Sequence, residues 1–201
     1  MDYLAIVGTN ADLSYNRKLL QFMKVHFKAS ANIEIAEIVK IPIFDQPEER
    51  IAPVEVEELI QKIKKADGVI ISTPEYDHSI PAALKNVLEW LSYVSMPLIK
   101  KPVMITGASY GSLGSSRAQA HLRQILDAPN IEARVMPGNE YLLGKVLTAF
   151  DEEGNLIDTQ SVEELDYCFN EFVKFTKMSK IMDSMSDDSF ESLMEKYIEG
   201  E

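Results

Sequence analysis

The stretch GVIISTPEYDHSIPAALKN occupies residues 68–86 and joins three patterns. The apolar run at 68–71 predicts a buried strand, and the amphipathic segment that leads to Trp90 predicts a helix. Between them lies a polar loop, residues 72–81 (loop two), with an aromatic, a carboxylate, hydroxyls and two prolines. Ligands of open α/β sheets bind at the carboxyl ends of strands. We therefore expect loop two to shape a site for a planar polar ligand, the alternative being a plain surface connection.

Strand and helix patterns alternate along most of the chain. Apolar runs predict five strands, at residues 3–7, 33–38, 69–72, 102–106 and 131–135. Helical spacing predicts helices at residues 16–29, 54–65, 81–91, 115–126 and 162–175, and a short one at 187–198. This alternation is typical of a parallel sheet covered by helices on both faces. We expect a three-layer α/β/α flavodoxin-like fold with a five-stranded parallel sheet in the order 2-1-3-4-5.

The length and composition of the chain are those of one globular domain. It has 201 residues, of which 46% are hydrophobic and 26% charged. The single cysteine, Cys168, excludes an intrachain disulfide and a multi-cysteine metal site, and its helical pattern indicates a buried structural thiol. No apolar run approaches the ~18 residues of a membrane span, and the N-terminus lacks a signal-peptide pattern. We expect a cytoplasmic protein with no membrane contact and no metal site.

The net charge of −12 is concentrated in the last quarter of the chain. Residues 151–201 carry 15 acidic and 4 basic residues, whereas residues 1–150 are nearly neutral. An acidic chain binds nucleic acid poorly, because phosphates require lysine and arginine. The acidic end is either a solvated helix face or a tail that binds a partner. We predict a flavodoxin-like domain over residues 1–178 and an acidic C-terminal helical extension over residues 179–201.

Loop two should meet two other loops, because strands 1, 3 and 4 are neighbours in this order. Loop one, GTNADLSYNR at residues 8–17, opens a helix whose first N–H groups favour a phosphate. Ser14, Asn16 and Arg17 could add donors or charge there, although Ser14 could act only as a helix cap. Loop one matches neither the triphosphate-binding pattern G-x-x-x-x-G-K-[ST] nor G-x-G-x-x-G.

Loop three, GASYGSLGSSR at residues 107–117, contains three glycines among small residues. Glycine lets the backbone approach a ligand closely, and free backbone N–H groups can bond the polar edge of a flat heterocycle. A merely flexible loop is the alternative. Arg117, at the end of loop three, could instead lie on a helix surface and pair with an acidic residue.

The motif TPEYDHSIP at residues 73–81, followed by LKN at 84–86 and EW at 89–90, closely resembles the signature of the NADPH-dependent FMN reductase family. That family includes FMN-containing quinone, azo-dye and chromate reductases. The resemblance extends to loop one and to residues 107–126, and covers about residues 1–178. It implies that residues 1–178 form an FMN-binding domain, with FMN as cofactor and NAD(P)H as co-substrate.

The resemblance also implies roles for individual residues. Ser14 and Asn16 match positions that hold the FMN phosphate, and loops two and three match positions that line the ribityl chain and the ring. Three positions depart from the family pattern: Ala11 and Ser115 stand where arginine and glycine are frequent, and Asp77 where asparagine is usual. The complete predicted cofactor site consists of Thr9, Ser14, Asn16, Pro74, Glu75, Tyr76, Asp77, Ser79, Ser109, Tyr110, Gly111 and Gly114.

The activity implied by the resemblance is a ping-pong reduction. NAD(P)H passes a hydride to FMN and leaves, and a small-molecule acceptor (a quinone, free flavin or azo compound) takes its place. No catalytic side chain is required, and Tyr76 and Tyr110 would form walls of the acceptor site. A homodimer or tetramer, with the flavin near the interface, is implied as well. The alternatives are an FMN-binding electron carrier and a redox-sensing or partner-binding flavoprotein, both without NAD(P)H activity of their own.

Overall fold

The computed structural model describes residues 1–185, so the predicted helix at 187–198 lies outside the described residues. Strands and helices alternate through most of the chain. The strands are β1 (Asp2–Val7), β2 (Asn32–Ala36), β3 (Gly68–Ser72), β4 (Pro102–Ala108), β5 (Arg134–Val135) and β6 (Tyr141–Leu143). The α-helices are α1 (Tyr15–His26), α2 (Val54–Lys65), α3 (Ala82–Val94), α4 (Ser116–Leu126) and α5 (Thr159–Ser184). A short 3-10 helix spans Val146–Thr148.

The predicted sheet order is confirmed. The strands follow the order β2-β1-β3-β4-β5, and every pair is parallel. Side chains of β1 alternate between two apolar layers, because successive residues of a strand point to opposite faces. Leu4 and Ile6 pack with apolar residues of α2, α3 and α4, whereas Tyr3 and Val7 pack with those of α1 and α5. Helices therefore cover both faces of a flavodoxin-like sheet.

The fifth strand differs from the prediction at residues 131–135. Only Arg134–Val135 pairs with β4, because Glu132 has a φ of 43° and its N–H closes a turn on the carbonyl of Ala128. The edge of the sheet continues instead in β6, which pairs with the last residues of β4. Three residues are too few to show a strand pattern in sequence. This extra strand supports loop three, since Ser109 N–H donates to the Leu143 carbonyl at 2.9 Å.

Helix α5 extends beyond both ends of the predicted span, 162–175. It begins after Asp158, whose carboxylate accepts a hydrogen bond from Ser161 N–H, and it ends at Ser184. Its last turns bury the hydroxyls of Thr176 and Ser179 rather than apolar side chains, so the apolar pattern fades before the helix ends. The proposed domain boundary at residue 178 falls within α5, and that division stays a prediction. Among the residues described, no helix has the length and apolar character needed to cross a membrane.

The predicted structural thiol lies on the buried face of α5. The Cys168 side chain is in the apolar layer between the sheet, α1 and α5, beside Phe169. Burial, with a smaller effect from Glu164, raises the pKa of the thiol and so disfavours the reactive thiolate. The structure therefore agrees with a packing role for this residue.

Asp67 fixes α5 to the amino-terminal edge of the sheet. Its carboxylate accepts hydrogen bonds from Lys180 Nζ at 2.5 Å and from Asp2 N–H at 2.9 Å. Partial burial acts to raise the pKa of this carboxyl, but the two donors outweigh burial and hold the pKa below its ordinary value. The charged form of Asp67 thus joins the start of β1, the start of β3 and the end of α5.

Replacing Asp67 with asparagine tests this connection. We expect Asp67→Asn to lower the free energy of unfolding by about 1 kcal/mol at pH 7. Because the pKa is depressed in the folded chain, the carboxylate stabilises above its unfolded pKa, and this contribution fades as the pH falls below about 4. Urea unfolding at pH 7 and pH 3 measures both effects. Asp45→Asn, at an exposed carboxylate outside the ion pairs described, is the control and should leave the free energy of unfolding unchanged at both pH values. A loss of stability in Asp67→Asn that is the same at pH 7 and pH 3 would contradict a stabilising role of the Asp67 charge.

Candidate functional site

The carboxyl ends of β1, β3 and β4 open into one cavity of about 320 Å³. This volume lies at the lower end of the ~300–1,000 Å³ range of small-molecule sites. All three loops contribute to its wall, as the strand order predicts. The wall consists of Thr9, Leu13, Ser14, Tyr15, Asn16, Pro74, Glu75, Tyr76, Ala108, Ser109, Tyr110, Gly111, Leu113, Ser115, Arg117 and Val146.

Nine of the twelve predicted site residues line this cavity, and Asp77, Ser79 and Gly114 do not. Sequence reasoning missed seven wall residues. Apolar side chains within polar loops were an available signal for Leu13 and Leu113, which are 92% and 49% exposed. Ala108 lies within the predicted loop three, whereas Val146 gave no such signal, because it follows the unpredicted strand β6.

Loop one presents the first turn of α1 to the cavity. Ser14 caps this helix, since its Oγ accepts a hydrogen bond from Arg17 N–H at 3.1 Å. The N–H groups of Tyr15 and Asn16 precede the first helical hydrogen bond and have no acceptor within the helix. Thr9 completes this end of the wall: its Oγ1 accepts from Ala11 N–H and lies 3.3 Å from Tyr76 Oη. Loop one therefore offers N–H dipoles and hydroxyls.

The Asn16 carboxamide bonds to two strand ends, although the resemblance assigns it to the phosphate. Its Oδ1 accepts from Ser72 Oγ and from Ala108 N–H, both at 2.9 Å, and its Nδ2 donates to the Ala108 carbonyl at 3.1 Å. The residue is only 3% exposed. Asn16 thus joins α1 to the ends of β3 and β4, and its backbone N–H remains the group suited to a ligand.

Arg17 points away from the cavity, although its charge could have served a phosphate. Its guanidinium donates to both carboxylate oxygens of Glu37, at 2.6 and 2.8 Å. Its remaining Nη1 donates to the carbonyls of Ala11 and Asp12, at 3.0 and 2.9 Å. Arg17 therefore holds loop one in place from outside the wall.

Glu75 connects loop two to α4. One of its carboxylate oxygens accepts from the backbone N–H of Arg117 at 3.1 Å, and the other accepts from the Arg117 side chain at 3.1 Å. The helix's own cap residue, Ser115, makes no side-chain capping bond. Glu75 supplies the missing cap, and its negative charge interacts favourably with the positive, N-terminal end of the helix dipole. The structure thus shows the alternative considered for Arg117, a pairing with an acidic residue.

Residues 76–79 form a tight turn at the tip of loop two. Tyr76 and Ser79 exchange backbone hydrogen bonds of 3.0 and 2.9 Å. Asp77 and His78 between them have φ of 50° and 62°, as a type I′ turn requires. Asp77 is therefore exposed at the turn, and Ser79 Oγ lies 2.7 Å from His121 Nδ1. The predicted contacts of Asp77 and Ser79 with a cofactor stay predictions.

Loop three leaves open space and free donors above the cavity. A side chain added at Gly111 would meet no atom within 4 Å, and the N–H groups of Tyr110 and Gly111 have no acceptor among residues 1–185. Gly114 has another role: its φ is 56° and a Cβ would overlap the backbone of Leu142 in β6. Ser115 has a φ of 66°, which explains why glycine is frequent at this position.

This donor set fits FMN. Unbonded N–H groups and the hydroxyls of loop one suit the phosphate and ribityl end of the molecule. Tyr76 and Tyr110, which are 47% and 67% exposed, offer aromatic surface to a flat ring. The free N–H groups of loop three suit the polar edge of that ring. The Tyr15 ring packs edge-to-face against Tyr110 at 5.8 Å and so supports it.

Comparisons with known proteins agree with this site. A solved structure, the flavoenzyme FerB (NAD(P)H:(acceptor) oxidoreductase) from Paracoccus denitrificans, superposes with a TM-score of 0.80 over 89% of this chain and 98% of its own. At 24% identity, this similarity shows the fold alone.

Two relatives are closer in sequence. The NADH:(hydroxy)cinnamate reductase subunit CrdA of Vibrio ruber is 59% identical over 89% of this chain and 88% of its own length. The NADH-dependent flavin reductase subunit 2 of Lactobacillus johnsonii is 47% identical over 90% of this chain and 100% of its own. The model of the family described as NADPH-dependent FMN reductase matches residues 1–148, which include all three loops. The chain therefore belongs to the NADPH-dependent FMN reductase family.

Proposed function

We propose that this chain binds FMN in the cavity between its three loops and oxidises NAD(P)H to reduce quinones, free flavin, azo compounds or similar small acceptors. One observation carries the proposal. The cavity has unbonded N–H groups both at the start of α1 and in loop three, with exposed tyrosines beside the opening. Such a distribution matches a ligand that has an anionic end and a flat, polar ring.

Bound FMN would supply the redox chemistry, accepting a hydride from the nicotinamide and passing two electrons to the acceptor. The protein's residues position the reactants. Tyr76 and Tyr110 border the open side of the cavity, where either substrate would contact them. The N–H groups of Tyr110 and Gly111 would donate to the ring edge and so favour negative charge there.

We also propose that NADH is the preferred reductant. Both relatives described above carry NADH in their names, and one of them is 59% identical to this chain. Initial rates with NADH and NADPH at matched concentrations measure the preference. The homodimer or tetramer implied by the resemblance and the cytoplasmic location expected from the sequence stay predictions.

A protein acceptor is the second candidate, because both relatives are named as subunits of reductases. In this case the chain would oxidise NADH and pass electrons to a partner subunit. Stopped-flow measurement of the two half-reactions separates the candidates. Fast reduction by NADH with slow reoxidation by quinones and free flavin would favour a protein acceptor. Reoxidation by a quinone at a rate similar to that of reduction by NADH would count against a protein acceptor.

Loading the purified chain with FMN tests the main proposal. We expect the desalted protein to keep the absorption bands of flavin and to oxidise NADH when a naphthoquinone is added. A ping-pong reaction should give parallel lines in double-reciprocal plots of rate against NADH at several quinone concentrations. Reduction by NADH in a single turnover excludes a carrier without pyridine-nucleotide activity. The proposal would be contradicted if the FMN-loaded chain failed to oxidise NADH with every quinone, flavin and azo acceptor tested.

Filling the cavity at Gly111 tests its location. Gly111→Val adds a side chain where no atom lies within 4 Å, so the fold should keep its melting temperature within about 2 °C. Because Gly111 lines the cavity, we expect the added side chain to narrow it and FMN affinity to fall by at least about tenfold. Ser112→Val is the matched control, since Ser112 is the exposed neighbour outside the wall and should keep both properties. Unchanged FMN affinity in Gly111→Val would contradict the placement of FMN in this cavity.

A further inference from the structure

We propose that this site recognises a flavin mainly through its ring and ribityl chain and holds the phosphate through neutral donors alone, so that riboflavin binds within about tenfold of FMN. The inference rests on the proposed function, because it concerns the same cavity. It extends that function by naming the flavins that the site accepts, and it rests on the partners of the charged side chains around loop one.

The arginine of loop one is fully engaged elsewhere. All of the Arg17 nitrogens donate within the protein, to the two oxygens of Glu37 and to two carbonyls of loop one. The Arg17 side chain is 21% exposed and does not line the cavity. Turning it toward a phosphate would break a bidentate ion pair and release loop one, so Arg17 is not available as a phosphate ligand.

Among residues 1–185, the charged side chains of the cavity wall are paired with each other. They are Glu75 and Arg117, which pair at 3.1 Å, and Glu75 also caps α4. Lys18 lies nearby, but its ammonium lies over the Tyr15 ring, 5.2 Å from the ring centroid. Its side chain is exposed, so salt screens its charge. At Ala11, loop one has a methyl group where a longer basic side chain could reach an anion.

At loop one a phosphate would therefore meet N–H dipoles and hydroxyls, without a cation from that loop. Backbone N–H groups already bond an anionic phosphate with charge assistance, but a guanidinium would add a full opposite charge and two parallel hydrogen bonds. A helix terminus provides only about half a unit charge, and that effect is screened by salt. We expect the affinity for FMN to exceed that for riboflavin by less than about tenfold. The preference should change little between low and high salt.

Equilibrium binding to the full-length chain tests the inference without relying on turnover. Quenching of flavin fluorescence gives the dissociation constants of FMN and riboflavin at 20 mM and at 500 mM NaCl. Ala11→Arg should restore a cation and tighten FMN about tenfold at low salt, with riboflavin unchanged. Ala11→Gln is the matched control, because it adds length and donors without charge and should leave the FMN-to-riboflavin ratio near that of the parent chain.

The outcomes separate this inference from the function on which it rests. An FMN preference of about 100-fold or more in the parent chain would overturn the inference and leave the function intact. A cation contributed by a second copy of the chain would give that same large preference. Equal tightening of both flavins in Ala11→Arg would also count against it. Failure of both flavins to bind would overturn the function and the inference together.

Discussion

The site depends on one buried carboxamide. Asn16 lies in the first turn of α1, yet its side chain bonds to Ser72 at the end of β3 and to both backbone groups of Ala108 at the end of β4. The strand ends of a parallel sheet are otherwise free to splay once their ladder stops. Since the amide is buried and bonded at both ends, losing it would leave several unsatisfied polar groups in the apolar interior. The relative position of the three loops therefore follows from a residue whose side chain is bonded entirely within the protein.

The polar groups near the cavity fall into two sets with different tasks. Charged side chains stabilise the framework: Arg17 holds loop one through Glu37, and Glu75 holds loop two to α4. Apart from the paired Glu75 and Arg117, the polar groups of the cavity wall are neutral: hydroxyls, backbone N–H groups and tyrosine rings. Charges that are already paired lose little when a ligand enters and excludes water, whereas an unpaired charge would have to be desolvated without a partner.

Much of this architecture could be predicted from the sequence. Continuous apolar strands and regular helix spacing gave the sheet order, and the TPEYDHSIP motif located the site at the strand ends. Two kinds of feature could not be predicted. The three-residue strand Tyr141–Leu143 depends on a tertiary edge rather than on its own pattern. The partners of Asn16 and Glu75 are 42 to 92 residues distant, and a motif identifies such a residue without showing which way its side chain turns.

The bond between Glu75 and α4 has a consequence for how this fold can diversify. Loop two is covalently part of the β3–α3 connection, but its conformation is set by the start of a helix more than 40 residues later. A new loop two grafted alone would leave α4 uncapped, and a new α4 alone would leave a carboxylate without its partners. Recombination among related proteins should therefore preserve these two segments as one inherited unit, even where the strands between them exchange freely.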